Sequence, residues 1–314
     1  MAKVNFELLK KRLLDYEKEI IILSIDYDER FFEAVKKLHK LVPNIKYLQV
    51  NEEFISNFDK VKKDQLFNFY KELRIGRDDE KLLQENFKKP NYFATLLLKG
   101  GYANGIVSGA NYPTAHILKP AFQIVKQIDK NEPISSFMWL YKDNHYDMFM
   151  ADVSVNPNPN ANQLAAIAIQ TANSVKDIFN IKPVVAMLSF STLGSGGKQP
   201  DVLKIQEATA IVKKAGIEVI GEIQWDAAYN QKTFDLKTKG QKLSKLPNVF
   251  VFPDLNSGNI GYKITTTIGN FKAIGPLLQN IKLPVNDLSR GCNADEIVDL
   301  VIITALQWLD SQKK

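Results

Sequence analysis

The feature that most constrains this chain is an alternation running from end to end: short apolar runs separated by stretches of helical period. Ile20 to Ile25, Ile45 to Val50, Gly105 to Ser108, Ser135 to Tyr141, Tyr146 to Ala151, Val184 to Ser189, Ile217 to Ile220 and Val249 to Phe252 each read as buried strands. Between them, Arg30 to Leu41 places Phe31, Phe32, Val35, Leu38 and Leu41 at helical spacing, and Gln163 to Ile178, Val202 to Ala215 and Ala294 to about Leu309 read as helices. The Asn156-Pro157-Asn158-Pro159-Asn160 run is turn chemistry that leads into the helix near Gln163. Alternation of this kind predicts α/β layers with mainly parallel sheets, and about nine strands exceed one compact sheet, which predicts two α/β domains.

Composition narrows the class. A single cysteine, Cys292, excludes a disulfide framework and fits a reducing compartment. No apolar run lies within the first 19 residues, and Ile20 to Ile25 and Val301 to Leu309 are too short or too interrupted to cross a bilayer. The expectation is therefore a cytoplasmic protein with no membrane partner. A net charge of +6 over 314 residues is mild, and its lysine pairs (Lys62-Lys63, Lys88-Lys89, Lys213-Lys214) read as solvated helix faces, so no nucleic-acid partner is expected.

Several common catalytic signatures fail. Gly194-Ser195-Gly196-Gly197-Lys198 has Thr192 where a Walker A loop needs glycine, and Gln199 follows where that loop needs Ser or Thr. Neither Gly-x-Gly-x-x-Gly nor Gly-x-Ser-x-Gly occurs. His39, His116 and His145 lie far apart and in no metal-ligand spacing, so no metal site is expected.

The last part of the chain carries more specific chemistry. Phe252-Pro253-Asp254-Leu255-Asn256-Ser257-Gly258 follows a buried strand with small polar residues and precedes a helical pattern, an arrangement that brings backbone N–H groups to a ligand at a strand's carboxyl end. Pro284-Val285-Asn286-Asp287-Leu288-Ser289-Arg290-Gly291-Cys292 sets an arginine between a hydroxyl and a glycine just before the last helix. A guanidinium fork suits bidentate phosphate or carboxylate binding.

Four segments in order, Ser189-Phe190-Ser191-Thr192 with its following Gly-Ser, Gly221-Glu222-Ile223-Gln224-Trp225-Asp226-Ala227-Ala228, Phe252 to Lys263, and Pro284 to Cys292, resemble the phosphate acetyltransferase (phosphotransacetylase) family. The match runs from about Asn91 to the C-terminus; the first 70 residues agree in pattern only. The resemblance implies two α/β/α domains with mainly parallel sheets and an interdomain cleft, a fold that is isocitrate/isopropylmalate dehydrogenase-like. The first domain would be discontinuous, 1–130 plus 279–314, and the second 131–278. It implies a homodimer that interconverts acetyl-CoA plus phosphate with CoA plus acetyl phosphate, with CoA as a substrate and no tightly bound cofactor. A phosphate butyryl/propionyltransferase and a non-catalytic ligand-binding descendant are the alternatives; Gly221 to Ala228 favours acetyl, and retained Ser289-Arg290 favours catalysis.

Residue by residue, the resemblance implies that Arg290 binds the phosphate of acetyl phosphate and that Ser289 donates to the substrate or oxyanion. The family's aspartate before the last helix is replaced by Glu296, with Asp295 beside it as the reserve base; Asn293-Ala294-Asp295-Glu296 reads equally as a helix-capping box. Lys119 stands where a CoA-binding arginine is usual, Pro113 where Ser or Thr is usual, and His116 where Asp or Asn is usual, while Arg74 matches a second CoA-contacting arginine. Thr266-Thr267 replace a Gln-Arg pair, leaving the site less basic. Ser191, Thr192, Asp254, Asn256 and Ser257 are expected to line the cleft, with Asp254 also readable as a cap. Cys292 sits just ahead of a helix start, a place that favours a lowered pKa. Direct transfer in a ternary complex needs no enzyme thiol.

Overall fold

The computed structural model describes residues 3–143, 145–238 and 240–313. Ten strands form among them: β1 (Ile20–Ser24), β2 (Ile45–Gln49), β3 (Gly105–Ser108), β4 (Ser135–Tyr141), β5 (Met148–Ala151), β6 (Val185–Leu188), β7 (Val219–Ile223), β8 (Val249–Val251), β9 (Lys272–Gln279) and β10 (Val285–Asp287). They divide between two compact units. One is Phe6–Ile128 with the segment from Ile281 onward; the other is Asp129–Asn280, joined by the N-terminal residues up to Asn5. The Val4 amide donates to the buried Asp147 carboxylate, which ties that N-terminal segment to the second set of strands.

The first unit holds a four-stranded, all-parallel sheet in the order β10-β3-β1-β2. All four residues of β3 are buried, so both of its faces are covered, as a parallel sheet requires. Helix Ala294–Ser311 packs on β3, β1 and β10 and against helix Glu29–Leu41, and helices Pro90–Lys99 and Thr114–Pro120 pack on β3 and β10 respectively. Asp28 caps the helix after β1 by accepting from the Arg30 and Phe31 amides.

The second unit holds a six-stranded sheet, β7-β6-β8-β5-β4-β9. Strands β7, β6, β8 and β5 run parallel, while β4 pairs antiparallel with both β5 and β9. Helix Ala161–Phe179 starts two residues ahead of the expected point, because Asn160 and Gln163 close a capping box there. It ends on Asn180 in the left-handed conformation.

Strands β9 and β10 are absent from the sequence reading. In β9, Gly275-Pro276 looks like a break, but the strand lies at the sheet edge and its register with β4 shifts there, so the pair is absorbed in a bulge. Strand β10 is three residues long, too short to show a period. Among the described residues no helix is long and apolar enough to cross a membrane.

Candidate active site

In open parallel sheets, ligands bind beyond the carboxyl ends of the strands. In the first unit two such ends, after β1 and β3, are locked together by Asp26, which is 1% exposed. Its carboxylate accepts from Ser108 Oγ at 2.9 Å, the Gly109 amide at 2.8 Å and the Asn111 amide at 3.0 Å. Gly109 has φ +131°, and a Cβ there would lie 2.2 Å from Asp287 Oδ1 and 2.9 Å from the Leu288 amide nitrogen, so only glycine fits between β3 and β10. Asp287 itself ends β10 at 3% exposure. Its Oδ2 accepts from Thr114 Oγ1 at 2.6 Å, and its Oδ1 is buried with no hydrogen-bond partner among the described residues. Burial pushes this carboxyl up to about 7; the Thr114 hydroxyl pulls it down, Asp26 pushes it up and Arg290 pulls it down.

That raised value makes a prediction. A carboxyl with a folded pKa near 7 stabilises the fold fully below its unfolded value, about 4, and loses that contribution as pH rises toward 7. Thermal unfolding of wild type and Asp287→Asn from pH 4 to 8 should show the variant's stability falling less with pH, by at least about 1 kcal/mol across the window. Parallel pH profiles would contradict the assignment.

Beyond Asp287 the chain turns through Ser289-Arg290-Gly291-Cys292, closed by the Cys292 amide donating to the Ser289 carbonyl at 3.0 Å. Ser289 and Arg290 are exposed, and among the described residues the Arg290 guanidinium is unpaired. Helix Ala294–Ser311 then begins with a complete capping box: the Glu296 amide donates to Asn293 Oδ1 at 3.0 Å, and Glu296 Oε2 accepts from the Asn293 amide at 3.1 Å. The cap thus fixes the Glu296 carboxylate half-exposed in the first turn of the helix, with one oxygen tied and the other outside the cap. Asp295, the reserve base, points elsewhere and pairs with Lys37 at 2.7 Å.

Cys292 corrects an expectation. It is buried, and desolvation outweighs the nearby Arg30 charge and pushes the thiol up to about 11. A helix start does not make it a thiolate, and Cys292→Ala should retain turnover of the wild-type order; complete loss would restore a covalent role.

Two residues expected to bind CoA part company. Lys119 is exposed in the last turn of Thr114–Pro120. Arg74 is instead buried, with its Nε and Nη2 donating to the two oxygens of Asp78 at 2.7 and 3.2 Å and Nη1 to the Gln123 carbonyl at 3.4 Å. Its guanidinium has structural employment, because a buried charge is tolerated only when paired.

In the second unit, Ser191 and Thr192 are also buried, their hydroxyls tied to residues at the end of β7. Ser191 is fully buried, and its hydroxyl donates to Glu222 Oε1 at 2.8 Å; the same oxygen accepts from the Gly194 amide at 2.6 Å, and Oε2 accepts from Gln206 at 2.9 Å. Thr192 Oγ1 bonds Gln224 through its side-chain oxygen and its amide, both at 3.1 Å. Asp254 is an N-cap, accepting from the Ser257 amide at 2.8 Å, and Ser257 Oγ donates to the Asp254 carbonyl. Asn256 alone of this group is exposed. The sequence reading missed Asp26, Asp287 and Glu222 as organising carboxylates. Their only signal was an acid at or just beyond the end of an apolar strand.

A family model described as phosphate acetyl/butaryl transferase matches residues 7–305. A phosphate acetyltransferase of Bacillus subtilis is 39% identical over 308 residues, covering 92% of this chain and 94% of the relative. One from Thermoanaerobacterium thermosaccharolyticum is 44% identical over 232 residues, covering 71% of this chain and 70% of its own. Among solved structures, a phosphotransacetylase from Streptococcus pyogenes matches with a TM-score of 0.86 at 34% identity, covering 97% of this chain and 99% of the other. With an exposed Ser289-Arg290 turn at the carboxyl edge of a parallel sheet, and likeness of this extent, the chain belongs to the phosphate acetyl/butaryl transferase family.

Proposed function

We propose that this chain is a phosphate acetyltransferase that moves an acetyl group reversibly between CoA and phosphate, working as a cytoplasmic homodimer with no tightly bound cofactor. The observation that carries the reading is the exposed guanidinium of Arg290, unpaired among the described residues, next in sequence to the exposed Ser289 and followed by the capped Glu296 at the start of the last helix. The names of the relatives support acetyl as the transferred group.

The chemistry asks for three things. A free thiol has a pKa of about 8.5 and is only a few per cent thiolate at neutral pH, so a base must take its proton. In this reading that base is Glu296, through the oxygen the cap leaves over. The thiolate sulfur attacks the acetyl carbonyl carbon of acetyl phosphate, a C–S bond forms, the C–O bond to phosphate breaks, and phosphate leaves with the bonding pair. Arg290 holds the phosphoryl oxygens and offsets the charge that gathers on them, and Ser289 O–H donates to the carbonyl oxygen as it becomes an oxyanion. Lys119 supplies a point charge for a CoA phosphate without an arginine's fork. A second copy covering the exposed Ile260, Ile264 and Ile268, one helical turn apart along and just past helix Leu255–Thr267, is the dimer this reading favours.

The test is direct. Purified protein with CoA and acetyl, propionyl or butyryl phosphate is followed by thioester absorbance; fastest turnover with acetyl phosphate is expected. Preference for butyryl phosphate would move the assignment to the longer-chain enzymes, and no thioester with any of them would defeat it.

A further inference from the structure

Arg30 stands at the start of the helix after β1, far in sequence from the Ser289–Cys292 turn, and a guanidinium has five N–H donors. All five are used. Nε and Nη2 donate to Asp28 Oδ2 at 3.0 and 2.5 Å. Nη2 also donates to the Ala110 carbonyl at 3.2 Å. Nη1 donates to the Arg290 carbonyl at 3.0 Å and to the Cys292 carbonyl at 2.9 Å. One side chain thus joins the loops that follow β1, β3 and β10. It has no donor left for an anion, although it lies beside the turn that presents Arg290.

From this geometry we infer that Arg30 is a positioning residue: anchored on Asp28, it grips the backbone carbonyls of Arg290 and Cys292 and so sets where the Arg290 guanidinium meets the phosphoryl group. The inference rests on the reading of Arg290 as the anion ligand. Its chemistry is specific to the fork. The Ser289-Arg290-Gly291 segment is exposed, and a turn with a glycine at its third position has little rigidity of its own. Two carbonyls held from one planar group fix both position and tilt, which a single lysine ammonium with three donors cannot reproduce in place of five hydrogen bonds. The ion pair with Asp28 keeps the guanidinium in place: the Arg30 hydrogen bonds draw the Asp28 carboxyl below the usual carboxylate range, and Asn111 Nδ2 adds a hydrogen bond at 3.0 Å. Misplacing a binding group by about 1 Å costs up to about 100-fold in rate.

The test uses the full chain and four variants: Arg30→Lys, Arg30→Ala, Arg290→Gln and the Arg30→Lys/Arg290→Gln double variant. Arg30→Lys is expected to raise KM for acetyl phosphate about 10- to 100-fold, with a much smaller change in KM for CoA. Free guanidinium ion, admitted to the partly exposed site, is expected to restore part of the activity of Arg30→Ala, while methylammonium does not. The double variant is expected to be no worse toward acetyl phosphate than Arg290→Gln alone, since Arg30 acts through Arg290. A wild-type KM for acetyl phosphate in Arg30→Lys, whatever its melting temperature, overturns the proposal, as does a double variant whose losses simply add. Wild-type kinetics in Arg290→Gln would instead overturn the reading beneath it, so the two failures are distinguishable. Should Arg30→Ala not fold, Arg30→Lys and the double variant decide.

Discussion

Replacing Glu296 by glutamine is expected to lower kcat by about 10²- to 10⁴-fold, the range that a positioned general base contributes. The same change should leave the melting temperature nearly untouched. Glutamine completes a capping box as glutamate does, so the reciprocal bonds with Asn293 survive while the proton acceptor is lost. This separates the two roles that the sequence left open for Glu296. Glu296→Ala removes both, and should add a loss of about 0.5–2 kcal/mol in stability to the kinetic defect. Asp295→Asn is the control. Its carboxylate is exposed and paired with Lys37, so turnover should hold. A pH–rate profile for Glu296→Gln that overlays the wild type would eliminate the glutamate as base.

The second large effect belongs to Arg290. Each hydrogen bond to a charged group is worth about 1.5–3 kcal/mol, and a guanidinium makes two to a phosphoryl group, so Arg290→Gln should cost about 10²- to 10⁴-fold in kcat/KM for acetyl phosphate. KM for acetyl phosphate and kcat should both suffer, because the same contact holds the bound substrate and the leaving phosphate. Arg290→Lys keeps the charge and loses the fork, and should fall between the two. No change in folding is expected, since the side chain is exposed and unpaired among the described residues. Steady-state kinetics in both directions, beside thermal melts, check all three statements.

How much of this was legible in the sequence follows from where the information sits. Apolar runs such as Ile20–Ser24 and Val185–Leu188 announce themselves, because strands buried on both faces need unbroken β-branched or long apolar residues. The helix start at Asn293 was readable from cap chemistry that is local by nature, whereas the box at Asn160 hid within a run read as a turn leading to Gln163. Strand β9 was hidden by Gly275-Pro276, whose meaning depends on lying at an edge opposite a bulge, a fact about the neighbouring strand. Ser289 and Arg290 stood out through a motif. Arg74, Ser191 and Thr192 matched motifs too, and the fold turned their side chains onto Asp78, Glu222 and Gln224, an outcome that the motifs do not announce. Arg30 was invisible for the same reason. Nothing near Asp28-Tyr27-Asp26 says that carbonyls at 290 and 292 will accept its donors.

The central claim is physical: one guanidinium at the carboxyl edge of the β10-β3-β1-β2 sheet holds the phosphoryl anion while sulfur reaches the neighbouring carbon. A crystal structure of the protein with CoA and phosphate tests it most directly. The account predicts the Arg290 fork on two phosphate oxygens at about 2.7–2.9 Å, with the Ser289 hydroxyl and the CoA sulfur beside it. A phosphate bound elsewhere, with Arg290 turned to solvent, would contradict it.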